Sequence, residues 1–89
     1  MIYMLVHHAV KDFSKWRPAF DADAAARQAA GLREINVWRN ADEPQEVVLL
    51  FEVLDVAKAK AFAASTDLKD RMVASGVIGR PEITFLTQS

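Results

Sequence analysis

The strongest strand-like segments of this 89-residue chain are apolar on both of their faces. Along Ile2–Val10, apolar side chains occupy most even and most odd positions alike. The segment Val47–Leu54 repeats the pattern with a single charge, Glu52. A sheet with one face in water alternates apolar and polar residues along each strand. The sequence therefore predicts a sheet that is covered on both faces.

Turn residues and apolar periodicity divide the chain into strand, helix, strand, strand, helix and strand. The polar connection Ala41–Glu46 is typical of a hairpin with a longer loop, and Gly79–Pro81 is expected to turn the chain into the last strand. Two strand–helix–strand units with right-handed crossovers predict an α+β fold. This is the ferredoxin-like βαββαβ arrangement, with an antiparallel four-stranded sheet formed by one domain, residues 1–89. The strands are predicted at Ile2–Val10, Leu32–Asn40, Val47–Leu54 and Glu82–Thr87.

Both helical regions are expected to be interrupted. Pro18 lacks a backbone donor and clashes with the preceding turn. We therefore expect a short first turn over Phe13–Arg17 and a main helix from about Pro18 to Ala30, ended by Gly31. The second helix is predicted to be split in two because a second capping signal follows the first. Its parts are Val56–Ala64, capped by Asp55, and Asp67–Ser75, capped by Ser65 or Thr66.

The same chain cannot cover both faces of this sheet. Two helical regions cover only one face of four strands, so a second copy of the chain is expected on the other. A chain this short buries only ~60–65% of its unfolded surface, whereas 52% of its residues are hydrophobic. The sequence therefore predicts a homodimer, but it does not tell which face of the sheet the helices cover.

Composition excludes several classes of protein. The net charge is −1, with acids and bases interspersed, which gives no indication of a nucleic-acid or membrane partner. The chain has no cysteine, which excludes disulfides, thiolate metal sites and cysteine nucleophiles. The first apolar run ends at His7 and is too short for a signal peptide or a membrane span. We therefore expect a cytoplasmic protein.

A series of residues along nearly the whole chain carries a resemblance to a known family. They are His8-Ala9-Val10, Asp12-Phe13, Trp16, Phe20-Asp21, Arg27, Gly31, Arg39-Asn40-Ala41-Asp42-Glu43-Pro44, Phe62, Ser65-Thr66-Asp67-Leu68, Met72, Gly76-Val77 and Pro81-Glu82-Ile83. In these residues the chain resembles the small dimeric α/β-barrel proteins grouped around the antibiotic-biosynthesis monooxygenases, in particular an uncharacterised branch of them.

The resemblance implies a dimer whose two sheets face each other, with a pocket between each sheet and its own helices. Cofactor-independent members act on aromatic polyketides with pocket tryptophan and asparagine residues, and this chain has Trp16, Trp38 and Asn36. The same fold also serves isomerases, haem degraders, peroxidases and ligand-binding regulators. Haem degradation is disfavoured, because relatives that perform it ligate iron with a helical histidine and neither histidine here is helical.

His8 is the leading candidate for a catalytic group. It shares a strand face with Val6 and Val10, where it can act as a proton acceptor in a pocket. A histidine that is hydrogen-bonded in the core is the more frequent situation. His7 and His8 are adjacent on a strand and point to opposite faces, so they cannot chelate one metal ion, and no metal or cofactor is expected.

Four further residues are candidates for the same site. Arg39 is the second candidate catalytic residue, because it could stabilise an enolate or phenolate oxygen. Trp16 and Phe20 lie on the apolar stripe of the first helix and are candidate substrate-binding residues, although core packing is the commoner role. Glu52 is a further candidate, but a carboxylate inside a strand first requires a partner, for which an arginine or histidine of the neighbouring strand is suited.

Two functions remain open. The first is a cofactor-independent monooxygenase or isomerase that acts on a small hydrophobic or aromatic substrate. The second is a non-catalytic dimeric module that binds a small molecule or merely assembles. A cavity of a few hundred Å³ with His8 on its wall favours the enzyme, whereas a filled core with His8 bonded to the backbone favours the module.

Overall fold

The computed structural model describes all residues 1–89 and has the predicted α+β ferredoxin-like fold. The four strands form one antiparallel sheet in the order β2-β3-β1-β4, with the helices on one face. The elements are β1 Ile2–Val10, α1 Phe13–Ala22, α2 Ala24–Ala29, β2 Leu32–Arg39, β3 Glu46–Val53, α3 Val56–Ala63, α4 Thr66–Ala74 and β4 Val77–Thr87.

The second helix is split in two, as predicted, and each part has a side-chain cap. Asp55 accepts a hydrogen bond from the backbone N–H of Lys58 at 3.0 Å, and Ser65 accepts one from that of Leu68 at 3.1 Å. These bonds satisfy donors that the first turn of a helix leaves free. Gly76 follows α4 with a φ of 93°, the left-handed conformation expected of a terminator.

The predicted break at Pro18 is wrong. Helix α1 runs through Pro18, and the interruption lies at Asp23, between α1 and α2. The helix continues through Pro18 because residues on both sides of the proline pack into the core. Trp16 and Phe20 stack with their ring centroids 4.8 Å apart, and both are buried. Burying two aromatic side chains outweighs the one hydrogen bond that the proline removes.

The last strand begins earlier than predicted. β4 starts at Val77, so Gly79–Pro81 lies inside the strand and does not lead into it. The pairing with β1 shifts at this point, between His7 opposite Glu82 and Ala9 opposite Ile78. The edge position of β4 tolerates the missing donor of Pro81, and Gly79, with a φ of 71°, allows the irregular backbone. The resulting bulge lies beside His8.

The structure determines which face of the sheet the helices cover. The covered face carries Met4, Val6, His8 and Val10 of β1, which are all buried, together with Val47, Leu49, Phe51 and Val53 of β3. Trp16 and Phe20 of α1 and Ala59 of α3 complete the core.

The other face, called the open face below, is uncovered. Its apolar residues are Tyr3, Leu5, Ala9, Trp38, Val48, Leu50, Ile78 and Leu86, according to the strand register. Trp38, Ile78 and Leu86 are 40–46% exposed, so a contiguous apolar surface remains on this side of the chain. None of the helices has the length and hydrophobicity needed to cross a lipid bilayer.

Gly31 and Gly79 provide a matched test of backbone packing. Both have φ above 70°, but a Cβ added at Gly31 would lie 2.9 Å from the Asp55 Cβ, whereas one at Gly79 would meet nothing within 4 Å. We expect Gly79→Ala to lower the free energy of unfolding by roughly 1–2 kcal/mol, the cost of a left-handed alanine. Gly31→Ala should cost clearly more, as measured by urea denaturation. Equal losses would contradict the proposed close contact with Asp55.

Candidate functional site

A small cavity lies between the covered face of the sheet and the helices. Its volume is about 60 Å³, and 12 of the 17 residues that line it are hydrophobic. A water molecule occupies roughly 30 Å³ of liquid, and a cavity of roughly 150 Å³ accepts a benzene ring. In this conformation the space therefore suits one or two very small molecules, and an aromatic ligand requires its walls to move.

Side chains of β1, α1 and α2 form one wall of the cavity, along which three rings and one guanidinium group follow one another. His8 meets the Trp16 ring edge-on with centroids 5.5 Å apart, and Trp16 stacks on Phe20. The guanidinium of Arg27 then lies 3.7 Å from the centroid of Phe20. Trp16 and Phe20 are four positions apart on α1 and therefore share one side of that helix, whereas Arg27 belongs to α2, beyond the interruption at Asp23. His8 and Arg27 thus stand at opposite ends of two aromatic rings.

His8 is buried without a full set of partners. Only 5% of the residue is exposed, and its Nδ1 has no hydrogen-bond partner. Burial lowers the pKa of His8 to about 4; a contact with its own backbone raises it and the nearby His7 lowers it, both to a smaller extent. The imidazole is therefore neutral at pH 7 and able to accept a proton or a hydrogen bond.

Charged side chains also border the cavity at its helical side. Arg27 donates from Nη1 to the Phe20 carbonyl at 2.8 Å, and burial lowers its pKa, against the opposing charge of Glu34. Arg71 of α4 donates to the Asp23 carboxylate at 2.8 Å and so connects the two helical regions. Neither arginine was named as a catalytic or substrate-binding residue from the sequence. The spacing of seven positions from Phe20 did indicate that Arg27 either closes a pocket or extends over the edge of the sheet.

Arg39 and Glu52, which were candidates for the same site as His8, do not line the cavity. Arg39 is at the end of β2, where its guanidinium lies 3.9 Å from the centroid of Phe13 and its Nε donates to the Pro44 carbonyl. Glu52 faces the open side of the sheet and pairs with Arg33 at 2.8 Å. The predicted need of Glu52 for a neighbouring-strand arginine is met.

Of the predicted site residues, the structure thus brings together His8, Trp16 and Phe20 around one cavity. Asn36 and Trp38 lie on the open face, opposite Leu50 and Val48 in the register. They point away from the cavity because residues of one parity on a strand share a face.

A wider groove adjoins the cavity. It measures about 540 Å³ and runs between α4 and the first half of β4. Leu68, Met72, Val77 and Ile83 line both spaces. Methionine is unbranched and flexible, so Met72 is the side chain best suited to open a path from the groove to His8.

No group of three or more histidine, cysteine, aspartate or glutamate side chains has the arrangement of a metal site. His7 and His8 point to opposite faces of β1, as expected, and His7 instead lies 3.9 Å from Glu82 on the open face.

Comparison of whole structures shows which known proteins share this fold. A proposed antibiotic biosynthesis monooxygenase from Bordetella bronchiseptica superposes with a TM-score of 0.79 over 99% of this chain and 96% of its own, at 15% identity. SnoaB, a cofactor-independent oxygenase from Streptomyces nogalater, gives a TM-score of 0.70 over 98% and 91%, at 18% identity. An uncharacterized NIPSNAP domain protein from Burkholderia xenovorans gives 0.68 over 100% and 95%, at 14% identity.

These neighbours confirm the predicted fold, which the chain shares with structures described as antibiotic biosynthesis monooxygenases. No protein-family model matches the sequence, and no curated protein matches it significantly.

The burial of His8 makes stability depend on pH. Because the pKa of His8 is about 4 in the folded chain, against 6.5 for an unperturbed histidine, the unfolded chain binds this proton more readily. His8 should therefore destabilise the fold progressively as the pH falls from about 6.5 to 4, by at most about 3 kcal/mol.

His8→Leu should remove this part of the pH dependence, as urea denaturation at several pH values will show. At pH 7 the variant should be as stable as the wild type to within about 1 kcal/mol, because it removes an unpaired buried polar atom. A loss of several kcal/mol at pH 7 would instead assign His8 to the structural core.

Proposed function

We propose that this protein is a cofactor-independent oxygenase that acts on a small phenolic or related hydrophobic substrate, bound in the cavity beside His8. The observation that supports this most directly is the unpaired Nδ1 of a buried histidine on the wall of an apolar cavity. A buried polar atom without a partner costs about 1–3 kcal/mol. A substrate hydroxyl would supply the missing partner.

The proposed chemistry requires only a proton acceptor and a dry site. Neutral His8 accepts a hydrogen bond from the phenol hydroxyl and takes up its proton as dioxygen oxidises the ring. His8 then returns the proton to the reduced oxygen atom. One oxygen atom enters the ring as a quinone carbonyl in place of hydrogen, and the other leaves as water. Trp16 and Phe20 would hold the ring and exclude solvent. The fold shared with SnoaB, which is described as a cofactor-independent oxygenase, is compatible with this proposal.

Arg39 has no place in this version of the mechanism, since it lies with Phe13 at the end of β2. Glu52 likewise serves the sheet, through Arg33. The substrate-contacting roles pass to His8, Trp16 and Phe20.

One observation favours the alternative, a non-catalytic dimeric module that binds a small molecule or merely assembles. The cavity of about 60 Å³ is smaller than the few hundred Å³ typical of ligand pockets. In this alternative the open face is the functional surface and His8 remains a core residue.

A ligand screen followed by an oxygen-uptake assay distinguishes the two functions. Thermal shift across phenols, quinones and lactones should identify compounds that stabilise the protein, and some phenols should consume one dioxygen per molecule oxidised. His8→Gln should lower kcat by roughly 10²–10⁴, the usual contribution of a general base. His7→Gln, on the adjacent residue but the opposite face, should keep its rate within a few-fold. Oxygen uptake that survives His8→Gln would exclude the proposed role of His8.

The protein is also proposed to act as a homodimer in the cytoplasm, with the open faces of two sheets in contact. Apolar residues on this face are half-exposed in the single chain, and an interface of this kind resembles a domain core cut in half.

The homodimer is tested by placing a charge at the centre of the open face. Wild-type protein should scatter light with a mass about twice 9.9 kDa. Leu50→Asp should give a monomer or an unfolded chain, because a carboxylate cannot be buried unpaired. Val73→Asp, at a residue that is 69% exposed on α4, should stay dimeric. A monomeric wild type at micromolar concentration would contradict the proposal.

A further inference from the structure

We propose that the ligand of the cavity is a small hydrophobic carboxylic acid, and that Arg27 is the specificity-determining residue that binds its carboxylate. This inference rests on the proposed function only in taking the His8 cavity as the ligand site. It adds the chemical class of the ligand and a ligand-binding role for Arg27.

Arg27 is a partly buried cation with few hydrogen-bond partners in the protein. Its side chain is 11% exposed, and its one hydrogen bond within the chain is from Nη1 to the Phe20 carbonyl. Glu34 is its nearest carboxylate, with Oε1 at 3.9 Å from Nη2, which is beyond hydrogen-bond distance. A guanidinium carries five donors in a planar fork, so most of its donors have no protein acceptor.

The other carboxylates around Arg27 are already bound by different arginines. Asp23 accepts a hydrogen bond from Arg71 at 2.8 Å, and Asp21 accepts one from Arg17 at 3.2 Å. The Arg27 nitrogens that have no protein acceptor are not fully buried, so they are accessible to an incoming ligand. An incoming carboxylate can bind the free donors in the bidentate manner that guanidinium groups prefer.

The position of Arg27 directs this carboxylate to the ligand site. Arg27 itself lines the cavity, and its guanidinium lies against Phe20, which forms part of the same wall. At the far end of the aromatic row, His8 offers a neutral acceptor. Because both groups line one cavity, the proposed ligand is an aromatic acid whose carboxylate binds Arg27 and whose hydroxyl group faces His8, once the cavity walls have moved to admit the ring.

Arg17 provides a matched control. Its guanidinium is also near the Phe20 ring, at 5.8 Å, and near Glu34, at 3.8 Å. It differs in being more exposed, at 36%, and in not lining the cavity. Removing its charge therefore changes the same neighbourhood without changing the proposed site.

The test compares benzoate with its neutral isostere benzamide, by calorimetry and by NMR titration of the purified protein. Wild type should bind benzoate at least about tenfold more tightly than benzamide, and Arg17→Gln should keep this preference. Arg27→Gln should lose it, to within about twofold, while Arg27→Lys should keep part of it because the charge remains. Shifts of the Trp16 and His8 resonances should locate the bound ring.

Equal affinity of the wild type for the two compounds, or no binding of either, overturns the proposal without any variant. A preference for benzoate that survives in a folded Arg27→Gln protein overturns it as well. If that variant does not fold, the preference for benzoate over benzamide is compared between Arg27→Lys and the wild type, and an unchanged preference overturns the proposal. The oxygenase proposal fails separately. Absence of oxygen uptake with a preserved, Arg27-dependent preference for benzoate would leave a carboxylate-binding site on a non-catalytic protein.

Discussion

The packing of Trp16 and Phe20 against the even positions of β1 is the interaction on which the other features of this molecule depend. It carries α1 through Pro18, because the two rings stack on each other and bury together. It also assigns the helices to one face of a sheet that is apolar on both. His8, which has the same parity as Val6, is buried by this choice, and the opposite face is left without cover.

Much of the fold could be predicted because its signals are local or periodic. Asp55 and Ser65 are capping residues whose oxygen atoms bind the first free donors of a helix wherever it packs. Glu52 could be expected to have an arginine partner for an equally general reason, since a carboxylate inside a strand is costly when unpaired. These rules need no knowledge of the remainder of the chain.

The site was less predictable because it depends on which face of the sheet the helices cover and on the order of the strands, and the sequence patterns fit more than one answer. Both the even and the odd positions of β1 are apolar enough to face the helices. The sequence therefore did not tell whether Glu52 and Trp38 lie on the same face of the sheet as His8. The irregular pairing around Gly79 depends on edge position, which the order of the strands along the chain does not reveal. Arg27 carried a spacing signal, but a helix break at Asp23, which no breaker residue marks, separates it from Phe20.

The cavity of this small domain holds two polar groups, and their presence there calls for an explanation. An apolar residue in place of His8 would avoid an unpaired nitrogen, and a neutral one in place of Arg27 would avoid a poorly paired charge. The unpaired nitrogen of His8 costs stability in a chain whose margin is thin at this length. The two groups stand at the ends of one aromatic row and differ in character, one a neutral acceptor and the other a cation. A ligand with a hydroxyl group and a carboxylate would pair both at once. The small size of the cavity is a weak argument against a binding site, because flexible Met72 is one of the residues that line both this cavity and an adjoining groove about nine times larger.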